Sequence, residues 1–309
     1  MTVEEPLRSD GAAVDAPPPS PSVAPEHPPE RARVEPPEGD RARSPSTDWP
    51  PWSAFAALIG GLVLAAVGGL AVELPALALG VKITSSHTPR GIAVAATFVQ
   101  DVAFVAAAVY CAHIGGRVVR AWQFGLRAPG RGWRAAVGGV VVLLVVFALL
   151  SLAWTEVFNP SREKVLNQLG SGVLSAALVC VVAPFCEELL FRGYIFTALR
   201  NWRGTLPAAL ITAALFGGVH AGSAPALDLV PLAALGFGLC MLYRYTGSLY
   251  PCMAAHSLNN SVAFASLADL TLGETVLLAV GALAGIAAVA LAGRRIGLTA
   301  AAHLARPAA

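Results

Sequence analysis

From Trp52 onward the chain alternates long apolar runs with short charged turns, and the runs have the length that crosses a bilayer. Eight runs stand out, at residues 52–80, 91–114, 133–156, 172–198, 206–221, 227–245, 249–268 and 274–293. The fifth is short and the seventh is interrupted by polar residues. The pattern predicts an all-α, polytopic integral membrane protein of about eight transmembrane helices. The first fifty residues are different material: 13 of the 23 prolines lie at or before Pro51, interleaved with Glu, Asp, Arg and Ser. Such a segment has too little apolar surface to offset its ordering entropy. It also lacks the apolar core of a cleavable leader. A disordered Pro-rich cytoplasmic tail is therefore expected at 1–50, a transmembrane helical domain at 51–298 and a short cytoplasmic tail at 299–309.

Composition agrees with this pattern, at 56% hydrophobic and 13% charged residues with mean hydropathy +0.64. The net charge of +2 gives no reason to expect nucleic acid as a partner. The distribution of charge says more than the sum. With the N-terminus inside, the inner segments hold 17 Lys and Arg, and the outer loops hold the other 4 of the 21: Lys82, Arg90, Arg162 and Lys164. This asymmetry predicts a plasma-membrane protein with both termini cytoplasmic, hence an even number of spans. The five cysteines have no ligand spacing and read as small packing residues.

Against that background, PFCEELLFRGYIF (residues 184–196) is out of place. Each charge at the centre of a span opposes insertion by about 2.5–3.5 kcal/mol. Glu188 and Arg192 are four apart in the favourable acid-first order and can pair. Glu187 is rotated by about 100° from Glu188 and has no local partner. A lone carboxylate facing a wet cavity is a candidate general base. A cytosolic helix end on which the three merely meet water is the bland alternative. Two further spans argue against it, because LFGGVHAG carries His220 four residues after Phe216, and AAHSLNNSVAF carries His256 and Asn260 four apart on one face. Polar side chains in lipid must face one another.

Together the three segments resemble the CPBP family of intramembrane proteases, which includes the type II CAAX prenyl endopeptidases and the bacterial Abi proteins linked to bacteriocin self-immunity. The family pattern EExxxR, FxxxH, HxxxN is matched in order by Glu187, Glu188 and Arg192, by Phe216 and His220, and by His256 and Asn260, within a core at about 170–268. The resemblance implies that Glu187 and His220 activate the attacking water and that His256 and Asn260 stabilise the oxyanion. Glu188, Arg192 and Phe216 would support them. The family is classed among metalloproteases, and Glu187, His220 and His256 form a conceivable Zn²⁺ ligand set. A metal-free reaction with glutamate as base fits equally well. The implied partners are a membrane-associated protein or peptide substrate and the lipid bilayer. A non-catalytic immunity or scaffold protein that keeps the motifs is the alternative function.

Three smaller expectations complete the reading. Counted along the spans, Glu187 and His220 reach similar depth, about 20 Å from the cytosolic turns, whereas His256 lies only about 10 Å in from Leu249. Either the turn RYTGSLYP dips into the protein or the span limit is misplaced. Asp101, in ATFVQDVAF, is expected to make a structural hydrogen bond to another helix. FGLRAPGRGWR reads as an inside anchor with Trp133 at the interface.

Overall fold

The computed structural model describes residues 49–84, 88–114, 119–158 and 169–295, together with Thr2. The 299–309 tail, and the 1–50 tail except for Thr2, Trp49 and Pro50, lie outside the described residues. Within these, eight helices follow in order: α1 (Pro51–Ala78), α2 (Arg90–His113), α3 (Trp133–Phe158), α4 (Val173–Arg203), α5 (Thr205–Gly218), α6 (Leu229–Thr246), α7 (Leu249–Leu267) and α8 (Leu272–Arg295). No β-strand occurs among the described residues. Six apolar helical stretches are long enough to cross a membrane: α1 to α4, α6 with the 3-10 turn before it, and α8. The protein is a multi-pass membrane protein. The two others are those singled out by sequence: α5 has only 14 residues, and α7 has 19 but carries His, Ser and Asn.

α4 is the central helix. Every residue from Glu188 to Leu199 is buried, with α1, α2, α5, α6 and α7 packed around it. α1, α3 and α8 instead expose Val and Leu along most of their length, as helices do that face lipid. The charged stretch of α4 therefore lies in protein rather than against acyl chains. Close approach is secured by glycine. A Cβ at Gly217 would come 2.6 Å from the Leu229 carbonyl, where α5 meets α6.

α4 is not a uniform α-helix. Leu178–Val182 and Leu189–Phe196 are wound as π-helix on either side of an α-helical Ala183–Glu188. Pro184 supplies a local cause, since it has no N–H to offer the Cys180 carbonyl. The Ala183 N–H reaches back to Leu178, so the Val179 carbonyl is also left without its usual donor.

The segment 121–132 is more than an anchor. A 3-10 turn (Ala121–Phe124) leads into Gly125 in the left-handed region, and the chain then straps across the α6–α7 turn. Arg127 Nε donates to the Gly247 carbonyl at 2.8 Å, the Leu249 N–H to Gly125 at 2.9 Å, and the Gly130 N–H to Thr246 at 2.9 Å. Ser248 and Leu249 are wholly buried beneath it. The turn does dip into the protein, which resolves the depth discrepancy at His256. Trp133 stays exposed.

Candidate active site

Glu188 is the hub of the polar cluster. Its Oε1 accepts from Arg192 Nη1 at 2.7 Å and from His256 Nδ1 at 2.8 Å. Both Glu188 and Arg192 are 0% exposed. The expected i, i+4 pair is present, but its carboxylate also fixes an imidazole 68 residues away in sequence. Arg192 Nη2 donates to the Gly236 carbonyl of α6 at 3.0 Å, and its guanidinium carbon lies 4.4 Å from the Phe216 ring centre. One buried ion pair thus ties α4 to α5, α6 and α7.

Glu187 differs from its neighbour. It is 13% exposed, and its Oε2 lies 3.9 Å from His256 Nε2 without a hydrogen-bond partner. His256 therefore has Glu188 on Nδ1 and Glu187 facing Nε2. Asn260, one turn further along α7, donates Nδ2–H to the Val179 carbonyl at 3.0 Å, and Ser257 Oγ donates to the Cys180 carbonyl. These are the two carbonyls released by the π-wound turn and Pro184. The irregular winding of α4 therefore supplies the acceptors that orient α7.

His220 lies just beyond α5 rather than on it. The helix ends at Gly218, and His220 sits in the following turn, where its carbonyl accepts from the Ser223 and Ala224 N–H groups. Non-helical backbone at membrane depth is tolerated where it lines a cavity or is buried in protein. His220 Nδ1 donates to the Phe216 carbonyl at 2.8 Å, which leaves Nε2 free in the neutral ring. The Phe216 ring lies 5.1 Å from the His220 ring and 5.6 Å edge-on from that of His256. Among the described residues no hydrogen bond joins His220 to either glutamate. Glu187, His220 and Asn260 are half-buried, while Glu188, Arg192 and Phe216 are closed off completely.

Among the described residues no three His, Cys, Asp or Glu side chains gather closely enough to hold a metal ion. Glu187 and His256 approach each other, but no third His, Cys, Asp or Glu side chain joins them closely enough to complete a ligand set. The side chains present do not fit a three-ligand zinc site, and no step below runs through a metal.

Sequence reasoning missed Ser257 and the carbonyls of Val179, Cys180 and Gly236. Pro184, three residues before Glu187, was the available signal, because a proline inside a helix always strands a carbonyl. Asp101 departs from expectation: it is 0% exposed, and neither carboxyl oxygen has a hydrogen-bond partner. It does not make the expected structural hydrogen bond. α2 packs against the Ala183–Glu188 turn. The five cysteines are buried and free, as packing residues should be.

The family model for type II CAAX prenyl endopeptidase Rce1-like proteins matches residues 168–262, the stretch that contains all seven motif residues. Over that stretch the chain is similar to this family, and the match coincides with the motifs that carry the resemblance to CPBP proteases. It is 28% identical over 131 residues to the Bacillus subtilis (strain 168) protein named "Putative membrane peptidase YdiL", a match covering 41% of this chain and 52% of that protein. An uncharacterised protein of Mycoplasma capricolum is 28% identical over 91 residues, covering 29% of this chain and 26% of the relative. The matches thus span about half and a quarter of these relatives. No solved structure matches the chain. The matched stretch coincides with α4 to α7, the helices that build the polar cluster.

Proposed function

We propose that this chain is an intramembrane endopeptidase of the CAAX-protease type, which hydrolyses a peptide bond in a membrane-associated protein or peptide with Glu187 as general base. The observation that carries the reading is the division of labour between the two glutamates. Oε2 of each lacks a hydrogen-bond partner, but Glu188 is fully buried with Oε1 held by Arg192 and His256, whereas Glu187 is partly exposed and has no arginine partner. A base must have a free lone pair within reach of the proton it takes.

In this reading a water donates one hydrogen bond to Glu187 and another to the free Nε2 of His220. Glu187 removes the proton as the water oxygen bonds to the scissile carbonyl carbon. The developing oxyanion receives the second Nδ2–H of Asn260, whose first is held by Val179, and an Nε2–H from His256. In that role the His256 ring carries protons on both nitrogens; the two carboxylates, Glu188 at Nδ1 and Glu187 facing Nε2, together balance the charges of Arg192 and the ring. Collapse breaks the C–N bond, and Glu187 returns the proton to the leaving amine. The arginine asymmetry supports a plasma-membrane setting with both termini cytoplasmic and the site reached from the cytosol.

The deciding experiment compares membrane-released fragments from cells carrying wild type or Glu187→Gln. Loss of a base is worth about 10²–10⁴-fold in rate, so fragments should vanish while folded protein stays at wild-type level. If activity persists in Glu187→Ala combined with His220→Ala, the non-catalytic reading replaces this one.

A further inference from the structure

Away from the polar cluster, an apolar groove of about 710 Å³ runs between α3 and α6. On α3 its lining extends from Ala135 to Leu150, and on α6 from Ala234 to Tyr245. At 1.5 Å per residue these walls are about 22 and 16 Å long, comparable with the roughly 15 Å depth of one leaflet's hydrocarbon. The hollow exists because side chains are missing from its floor. A Cβ built on Gly138 would have no neighbour within 4 Å, whereas one on Gly238 would collide with Leu143, where the two helices touch.

The groove is polarised. At one end its lining residue Tyr245 carries the Arg131 guanidinium 4.7 Å from the ring centre. Arg134 follows one turn on, and Arg127, Arg200, Arg203 and Arg244 lie at the same end of the bundle. Segments 119–155, 189–227 and 229–268 contain no Asp or Glu to neutralise them. Towards the far end the first charge on α3 is an acid, Glu156. Stacking on an aromatic face fixes an arginine's plane and leaves its N–H fork outward, in the geometry that matches phosphate.

We propose that this groove binds one acyl chain of an anionic phospholipid of the inner leaflet, with Arg131 holding the headgroup phosphate. The site is distinct from the candidate active site. The groove lies on the outer side of α6, while Gly236 on the inner side accepts Arg192. An apolar trench alone would take any lipid; the unopposed arginines select negative charge.

Native mass spectrometry of the full chain, delipidated in mild detergent and titrated with phosphatidylglycerol or with phosphatidylcholine of the same acyl chains, tests this. Wild type should retain phosphatidylglycerol preferentially. Arg131→Gln should weaken its retention about tenfold or more, the worth of one charge-assisted hydrogen bond, and weaken phosphatidylcholine less, because its choline offsets the phosphate charge. Gly138→Leu, or Val142→Phe should that variant misfold, fills the trench and should abolish retention at unchanged thermal midpoint. Equal retention of both lipids overturns the proposal, as does an Arg131→Gln variant that keeps the preference. Displacement of phosphatidylglycerol by a lipidated peptide, or loss of a dimer in Gly138→Leu, would assign the groove to a substrate chain or a second copy instead. None of these readouts uses peptidase activity, so failure here leaves the proposed function standing.

Discussion

A buried charge is tolerated only while every partner stays in place, and Glu188 shows how severe that condition is. Its oxygen satisfies two donors from two helices. Glu188→Leu strands Arg192 in the interior, and an uncompensated buried charge costs about 3–5 kcal/mol. Adding Arg192→Met should recover much of that loss, so a double-mutant cycle of unfolding midpoints in detergent should be strongly non-additive; additive midpoints would mean that the pair is solvated. Asp101 poses the opposite case. Its orphaned carboxyl contributes no partner, so Asp101→Asn should hold or raise the midpoint, and a clear drop would reveal an unrecognised donor. Hydrolysis should likewise survive chelation, because the candidate ligands do not converge; loss under chelator with recovery on added Zn²⁺ would refute this. At this scale the sequence disclosed the Glu188–Arg192 pair because i, i+4 proximity is local. It could not disclose Glu188–His256, a contact that only tertiary packing creates.

Helices are where the hydropathy pattern is strongest, and all eight runs correspond to helices that begin and end within a few residues of expectation. What the pattern hides is winding. Apolar spacing in a helix buried on all sides has no face to report, so the π-wound turns of α4 leave no mark except Pro184, and the end of α5 before His220 leaves only Gly217 and Gly218. The winding has a testable purpose. Pro184→Ala restores an N–H that competes with Ser257 for the Cys180 carbonyl and favours regular α-helix by up to about 3 kcal/mol in propensity. The variant should be at least as stable as wild type yet turn over more slowly, because tightening the turn withdraws Val179 from Asn260. Parallel measurement of kcat and the unfolding midpoint checks this. Equal kcat would mean that the π-helical turn serves packing alone.

For the whole molecule, depth in the membrane follows from which end of the bundle is cytosolic. Sequence offered two independent hints, the 17-to-4 arginine and lysine asymmetry and the shallow position of His256. The second becomes intelligible through the strap: residues 124–130 cover the α6–α7 turn, so α7 starts inside the protein and His256 reaches the level of Glu188 despite its short distance from Leu249. That coverage was not legible beforehand, since FGLRAPGRGWR shows its charges but not the backbone hydrogen bonds it makes. Orientation can be measured because the native cysteines are buried and free, so an impermeant maleimide should report only an added thiol. Leu79→Cys, exposed between α1 and α2, should label in intact cells, whereas Arg203→Cys, at the end of α4, should label only after permeabilisation. The reverse pattern would turn the arginine-rich end outward. It would then also remove the inner-leaflet lipid from the α3–α6 groove and open the polar cluster to the cell exterior, so this single measurement constrains the substrate's side of approach and the source of the bound lipid together.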